Sequence, residues 1–461
     1  MSRIRLKLTQ PQHNDLIEHL LPPDGFEAVA IALCGRRPTE EEHNLSIYKM
    51  LMIPYSECSI RTTTGITWST RNITLLLEEA SNKDLAICKI HSHRGQFKNF
   101  SSIDDASDTD FFASVFGWTD SSYPHCSAVM LPDGQMFGRA ILSTGNFQDL
   151  HSIQVVGDDI HMWSGVAEKQ VSAGLKRHAQ MFGTATIQKL RQLSIAVVGC
   201  SGTGSPVVEQ LARLGVGRLV LIDPDYVEEK NLNRILNAGR QDAYLKTPKV
   251  EVLAKAIARM GLDTELQVIC ENLSTPTSVE AVASCDVVFG CMDGTEGRHI
   301  LNRLAAFYLI PYFDIGVRLE SDGLGGINEA CGAVHYIRPD SSTLLERKVY
   351  TMEQVTAEGL KRTDPKAYRD QVKAGYIHGV IENRPAVISI NMHMATIAVN
   401  ELLSRLHPYR YDNNSESAIV RVSFIQNETY REAEPAGSSI FSKKVGRGDC
   451  IPLLDMPILS K

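Results

Sequence analysis

The spacing of apolar positions changes along the chain. In the first third they come in short β-rich runs at residues 28–34 and 45–53, and Pro54 ends the second. Residues 1–8 alternate charged and apolar positions and read as an opening strand. Residues 72–81 carry Leu75, Leu76 and Leu77 as the apolar patch of a short helix. A buried strand over 85–90 delivers the chain to His91. A further strand over 126–131 leads into a hairpin at Pro132-Asp133-Gly134, where proline fixes φ and glycine accepts φ > 0.

Residues 151–190 read as a bridging helical segment. From 191 to 405 strand and helix signals alternate. A strand over 193–198 runs into a glycine loop, then a helix over 206–214 and a strand over 217–222; later strands fall at 266–269 and 286–289. Such alternation predicts a parallel sheet with helices on both faces. A last helix opens at Pro385, with Val387, Ile388, Met392, Ala395, Val399 and Leu402 on its inner stripe. Residues 406–461 add a strand over 419–425, a flexible polar stretch and an apolar tail. The expected class is α/β: a mixed α+β domain over 1–150, a doubly wound Rossmann-like domain over 151–405 (151–190 bridging), and a C-terminal strand and flexible tail over 406–461.

Bulk composition narrows the partners. A chain of 461 residues is long enough for two or three domains with cores of their own. A formal charge of -7 and a pI near 6.1 lack the basic footprint that nucleic acid requires. No apolar run reaches the ~18 residues of a membrane span, and the N-terminus has no signal-type apolar core. The ten cysteines sit mostly in strand-like runs with no C-x-x-C pair, as expected of reduced, buried thiols in a cytoplasmic protein.

Two clusters carry chemistry. His91 and His93, at i and i+2 on the end of a strand, point to one side and can share a cation. Asp104, in the first turn of a predicted helix over 103–116, adds a carboxylate, and Ser101 lies three residues before it. Two histidines and one aspartate leave an open position, as catalytic zinc does. The same Ser101 and Asp104 also read as an N-cap and an acidic first turn.

The run His91-Ser92-His93, seven residues, Ser101, two residues, Asp104 resembles the JAMM (MPN+/JAB) metalloprotease signature, over about residues 20–145. The resemblance implies cleavage of peptide or isopeptide bonds after a ubiquitin-like C-terminus. It implies zinc on His91, His93 and Asp104, Glu27 as general base and Ser101 as oxyanion helper. Two departures stand out: Arg94 replaces the usual proline, and Glu27 lies one residue further than usual from Gly35.

The second cluster begins at Gly199, Gly202 and Gly204, a strand-to-helix turn that presents backbone N–H groups to a phosphate. Asp223 ends the next strand, where a carboxylate meets a ribose. That much fits NAD as well as ATP. Asn231, Arg234, Lys249 and Asp293 add an amide, two cations and a Mg²⁺-type carboxylate, which favours triphosphate chemistry. Asp225 and Glu228-Glu229-Lys230 read as a solvated turn.

Over roughly 170–405 these residues, with Arg298, resemble the ThiF/MoeB and ubiquitin-activating-enzyme superfamily. The resemblance implies ATP- and Mg²⁺-dependent adenylation of a ubiquitin-like protein's C-terminus. Asn231, Arg234 and Lys249 would neutralise the β- and γ-phosphates. Arg177, six residues before Gly183, looks like the arginine that reaches across a homodimer. Ser201 stands where the family usually has another glycine. Relatives often pass the acyl group to a cysteine on the crossover segment, but residues 341–384 contain none. Cys450, in a tail read as exposed, is the better substitute candidate and Cys331 the lesser.

The combined reading is a bifunctional enzyme of a bacterial-type ubiquitin-like system, with a conjugating enzyme as a further partner. The alternatives are a sulfur-carrier activator, or an adenylating enzyme whose N-terminal domain only docks the small protein.

Overall fold

The computed structural model describes residues 3–165, 172–377, 385–435 and 439–459. Two compact units form. The first comprises Met1–Glu168, Ala306–Leu309 and Lys443–Asp455; the second comprises Lys169–Ala305, Ile310–Ser442 and Met456–Lys461.

The first unit is built on a mixed sheet of nine strands. In chain order these are β1 (Arg3–Thr9), β2 (Val29–Pro38), β3 (Glu42–Met52), β6 (Ala86–Ser92), β7 (His125–Met130), β8 (Met136–Ile141), β9 (Phe147–Asp149), β10 (Ser152–Val156) and β11 (Ile160–Ser164). A separate hairpin joins β4 (Cys58–Arg61) and β5 (Ile66–Trp68). The sheet order is β11-β10-β1-β3-β2-β6-β7-β8-β9. Helices α1 (Gln10–Leu20), α2 (Thr74–Lys83) and α3 (Ser102–Thr119) complete this unit. Strand β2 is buried on both faces. Ala28, Ala30, Ala32 and Cys34 join one core, and Val29, Ile31 and Leu33 join another with α2 and α3. This two-sided burial explains why the run reads as continuously apolar rather than alternating.

The sequence reading misses one element of this unit and misassigns another. Helix α1 falls where no helix is expected, although Thr9 and Gln12 form a capping box with Pro11 in the first turn. Residues 151–190 are not all a helical bridge. Ser152–Val156 pairs in parallel with β1, and β11 folds back on it, because Ile153 and Val155 alternate into the core.

The second unit carries β12 (Ser194–Val198), β13 (Arg218–Ile222), β14 (Glu265–Ile269), β15 (Val287–Gly290), β16 (Tyr312–Ser321), β17 (Ile327–Ile337), β18 (Ile419–Ser423) and β19 (Glu428–Glu432). Its helices are α4 (Lys176–Gln192), α5 (Gly204–Arg213), α6 (Arg240–Leu245), α7 (Lys249–Met260), α8 (Pro276–Ala283), α9 (Thr295–Tyr308), α10 (Met352–Thr363), α11 (Pro365–Lys373) and α12 (Ile388–Leu406). The order is β14-β13-β12-β15-β16-β17-β18-β19. Strands β12 to β16 are mutually parallel where they pair, whereas β16 to β19 form an antiparallel meander. The wholly parallel sheet expected from the sequence is therefore mixed, because β16 and β17 join through a tight turn that needs no crossover helix. Strand β12 lies between β13 and β15, so the strand order reverses there and opens a crevice at the strands' C-terminal ends.

Helix α12 starts at Ile388, and its inner face is Met394, Ala395, Ala398, Val399 and Leu402. Val387, Ile388 and Met392, expected on that stripe, are 44%, 37% and 41% exposed. The buried position in that turn is polar, Asn391.

The tail also differs from expectation. Residues 436–438 of the polar stretch lie outside the described residues. Lys443–Asp455, expected to be flexible, belongs to the first unit. Gly446 N–H donates to Ala306 O at 2.9 Å and Gly448 N–H to Phe307 O at 2.8 Å. A Cβ on Gly35 would stand 2.2 Å from the Arg447 carbonyl carbon, and one on Gly446 would stand 2.1 Å from Ile47 O. Only glycine permits two backbones to pass that closely.

Candidate functional site

The first cluster lies at the end of β6. Ser92 points into the core, where its Oγ accepts the Ala28 N–H at 3.1 Å, so His91 and His93 emerge on the opposite side. Asp104 arrives from the first turn of α3. Its Oδ1 lies 3.0 Å from His91 Nε2 and its Oδ2 lies 3.3 Å from His93 Nε2. The two Nε2 atoms are 3.1 Å apart, and one ligand atom from each of the three residues falls within 4.8 Å of the others. Burial holds His91 below the ordinary imidazole value against the pull of Asp104. Burial opposes ionisation of Asp104, but the contacts from His91 and His93 outweigh it and keep the carboxyl well below its usual range. A neutral His91 imidazole beside the ionised Asp104 carboxylate is the kind of donor pair a cation needs. His91 Nδ1 is buried without a hydrogen-bond partner.

Glu27 lines the same cavity of about 220 Å³ as His91, His93, Ser101 and Asp104. It is only 7% exposed, and burial pushes its carboxyl up to about 7. That value suits proton transfer near neutrality. Ser101 Oγ donates to Asp104 Oδ2 at 2.7 Å and accepts the Asp104 N–H at 3.2 Å. Its hydroxyl caps α3 and orients the aspartate. Arg94 donates to Phe26 O, the carbonyl immediately before Glu27, and lines the cavity. The residue that departs from the sequence pattern thus ties the histidine strand's exit to the glutamate. A motif spacing carries no signal of that contact.

The second cluster surrounds the β12–α5 turn. Gly199 has φ +90, and a Cβ on Gly204 would lie 1.8 Å from Gly199 O, so both positions require glycine. Asp223 is 4% exposed at the end of β13. Its Oδ2 accepts the Cys200 N–H at 2.7 Å and its Oδ1 the Asp225 N–H at 2.9 Å. Burial raises the Asp223 carboxyl, while Lys249 and these amides pull it back. Lys249 Nζ sits 2.7 Å from Asp225 Oδ2 and 3.8 Å from Asp223 Oδ1. Asp225, its side chain 65% exposed, is a solvated turn residue that also pairs with Lys249.

Asn231 is buried, with its Oδ1 accepting the Glu228 N–H at 3.1 Å. Arg234 Nη1 donates to Lys230 O at 2.8 Å and to Asn233 Oδ1 at 3.2 Å. A Cβ on Gly202 would meet Asn391 Nδ2 at 2.4 Å and Arg234 Cδ at 3.3 Å. The loop is thus flanked by Arg234 and by α12. Asp293 is exposed after β15 and shares a cavity of about 1010 Å³ with Arg298, Asp314 and Cys331. Arg298 is buried, and its Nε donates to Asp314 Oδ1 at 3.0 Å; Tyr312 OH donates to the same oxygen at 2.7 Å. Arg298 thereby pairs with a strand carboxylate. Arg177 is exposed in the first turn of α4, and Gly183, with φ +79, kinks that helix.

Neither candidate cysteine is an activated thiol. Cys450 is half-buried, its Sγ donates to Pro452 O at 3.3 Å, and burial raises its pKa. Its segment packs within the first unit, so the exposed tail expected from its glycines is absent. Cys331 is pushed up to about 11 by burial and by the Glu329 carboxylate 3.2 Å away. It lies four residues from His335 on β17, about 13 Å along an extended strand. His335 stands opposite Asp314 in the β16–β17 ladder, and both line the cavity.

The ThiF family model matches residues 175–438, and the chain belongs to the ThiF family. It is similar to ubiquitin-like modifier-activating enzyme 5 of Aedes aegypti, 27% identical over 208 residues, 42% of this chain and 50% of that protein. It is also similar to the adenylyltransferase and sulfurtransferase UBA4 of Yarrowia lipolytica, 34% identical over 131 residues, 28% of this chain and 32% of that protein. The SAMP-activating enzyme E1 of Haloferax volcanii is 33% identical over 123 residues, 27% of this chain and 45% of that protein. The chain spans half or less of the length of these curated relatives. Among solved structures, E. coli MccB with ATP aligns at a TM-score of 0.44 and 16% identity, over 58% of this chain and 73% of that one. Among the described residues, no helix is long and apolar enough to cross a membrane.

Proposed function

We propose that the second unit adenylates the C-terminal carboxylate of a ubiquitin-like protein, using ATP and Mg²⁺. The observation that carries this reading is the Gly199–Gly204 turn clamped by Asp223, with Lys249 and Arg234 beside it. A dehydrogenase loop would not need these cations next to its phosphates. A substrate carboxylate oxygen attacks the α-phosphorus of ATP, the bond to the β-phosphate oxygen breaks, and pyrophosphate leaves. Asp223 holds the ribose, and Asn231, Arg234 and Lys249 stabilise charge growing on the departing phosphates. Asp293 supplies the carboxylate for Mg²⁺. Arg177, exposed on α4, would complete the site of a second copy in a homodimer.

The first unit, whose residues 1–150 form the expected metallopeptidase domain, acts in this reading as a JAMM-like peptidase on the same class of C-terminus. His91, His93 and Asp104 fit zinc by donor type and by the convergence of their donor atoms. When bound, zinc supplies Lewis acidity toward water and toward the scissile carbonyl. Glu27 accepts and returns the proton, and Ser101 orients Asp104. In this scheme the adenylation domain takes in the C-terminal strands, and Lys443–Asp455 goes with the first unit.

A sulfur-carrier activator is the second reading, favoured by one observation. The crossover over 341–384 has no cysteine, so an external nucleophile would take the acyl group from the adenylate.

Pyrophosphate exchange into ATP, stimulated by a ubiquitin-like protein ending in Gly-Gly, is the test of the first half. No exchange with any such protein, in a preparation that folds, removes the proposal. For the second half, metal analysis should find one zinc per chain, lost in His91→Ala. A wild-type protein that binds no zinc leaves the first unit as a docking module.

A further inference from the structure

The segment between β17 and α12 contains no cysteine, yet it touches the adenylation site through another residue. Glu358, half-buried on α10, turns its carboxylate onto the start of α9. Its Oε2 accepts the Thr295 N–H at 2.6 Å and the Glu296 N–H at 2.9 Å. A Cβ on Gly294 would lie 3.2 Å from the same oxygen. Arg362, one turn further along α10, holds the Glu296 carboxylate with two bonds of 3.0 and 2.7 Å. The amides that Glu358 binds have no acceptor within α9, because they belong to its first turn. An anionic acceptor there is also favoured by the helix dipole.

Asp293 lies two residues before Thr295, on the short turn between β15 and α9. Fixing Thr295 and Glu296 from α10 leaves that turn little freedom. We propose that Glu358 is a positioning residue, which holds the β15–α9 turn so that Asp293 faces Mg²⁺ in the ATP complex. This rests on the adenylation reading of the second unit and adds a residue to it. The cysteine-free crossover helices thereby brace the metal carboxylate from outside the nucleotide loop.

The test is calorimetric titration of the full-length chain with ATP, once in excess Mg²⁺ and once in EDTA. Glu358→Ala should weaken binding of ATP with Mg²⁺ about tenfold, roughly 1.4 kcal/mol and of the size expected for charge-assisted hydrogen bonds. Binding of ATP in EDTA should be unchanged. Glu358→Gln, whose amide oxygen still accepts both N–H groups, should restore most of the loss. Asp293→Asn should show the same Mg²⁺-selective defect, and adding Glu358→Ala to it should cost nothing further. If Glu358→Ala does not fold, Glu358→Asp, one methylene short, carries the same expectation. Equal loss with and without Mg²⁺, or no loss in either, overturns the inference. If the wild type binds ATP under neither condition, the adenylation reading itself falls and takes this inference with it.

Discussion

Gly202→Ala separates steric from conformational demands in the nucleotide loop. Gly199 has φ +90, but Gly202 is not among the positive-φ glycines, so alanine there meets no backbone strain. The whole effect comes from the added methyl. That methyl would lie 2.4 Å from Asn391 Nδ2 and 3.3 Å from Arg234 Cδ. Ordinary contact requires about 3.4 Å or more, so the Asn391 amide must retreat by about 1 Å. Asn391 is 5% exposed on α12 and has little room to do so. Overpacking of this kind costs about 1–3 kcal/mol. Displacing Arg234 should also weaken ATP binding. Urea unfolding followed by circular dichroism measures the first effect and calorimetric titration with ATP and Mg²⁺ the second. Adding Asn391→Ala removes the obstructing amide and should recover most of the lost stability. A Gly202→Ala protein that unfolds at the wild-type midpoint would refute the steric account. So would a double variant no more stable than the single one.

Glu27 sets a pH dependence in metal-free protein. Burial raises its carboxyl from 4.5 to about 7 in the folded state, so the folded chain keeps a proton that the unfolded chain has lost. Its stabilising contribution is full below pH 4.5 and disappears as pH rises through 7; Glu27→Gln should therefore gain about 2–3 kcal/mol relative to wild type between pH 4.5 and 8. Trp68, Trp118 and Trp163 all lie in the first unit, so tryptophan fluorescence during urea unfolding in EDTA reads this shift, and a pH-independent difference would contradict it. Cys331→Ala, Cys450→Ala and their double variant should all retain ATP-dependent activation. A reducible adduct with the small protein that vanishes in one of them would reverse the reading of the raised thiols.

The two chemical clusters are legible in the sequence because each depends on local geometry. Alternation along a strand places His91 and His93 on one side, and a strand-to-helix turn needs glycine at 199 and 204 wherever it occurs. Asp104 is legible for a second reason: helix-capping preferences and metal ligation ask for the same residue at the same place. Contacts set by tertiary packing are not legible. Nothing local to Arg94 predicts a bond to Phe26 O, 68 residues away. Glu358 reads as one more surface glutamate of an amphipathic helix until α9 is placed beside it. Asn391 breaks the apolar stripe of α12, and that break is the available signal of a polar role. The β10 strand escapes a periodicity reading because its five residues compete with a longer helical pattern that begins only at Lys176.

The docking of Gly446, Gly448 and Asp449 on the first unit also sets a timetable. Arg37 and Asp449 form an ion pair across 412 residues of sequence. During synthesis at about 5–20 residues per second, the strands carrying Arg37 and Gly35 wait roughly 20–80 s for their partner segment to emerge. Until then Ile47 O and the backbone beside Gly35 remain open to solvent. The unit whose chain begins first is thus among the last parts of the molecule to be finished. A ribosome stalled anywhere before Gly446 leaves that seam unsealed, however well the His91–His93–Asp104 cluster itself has formed.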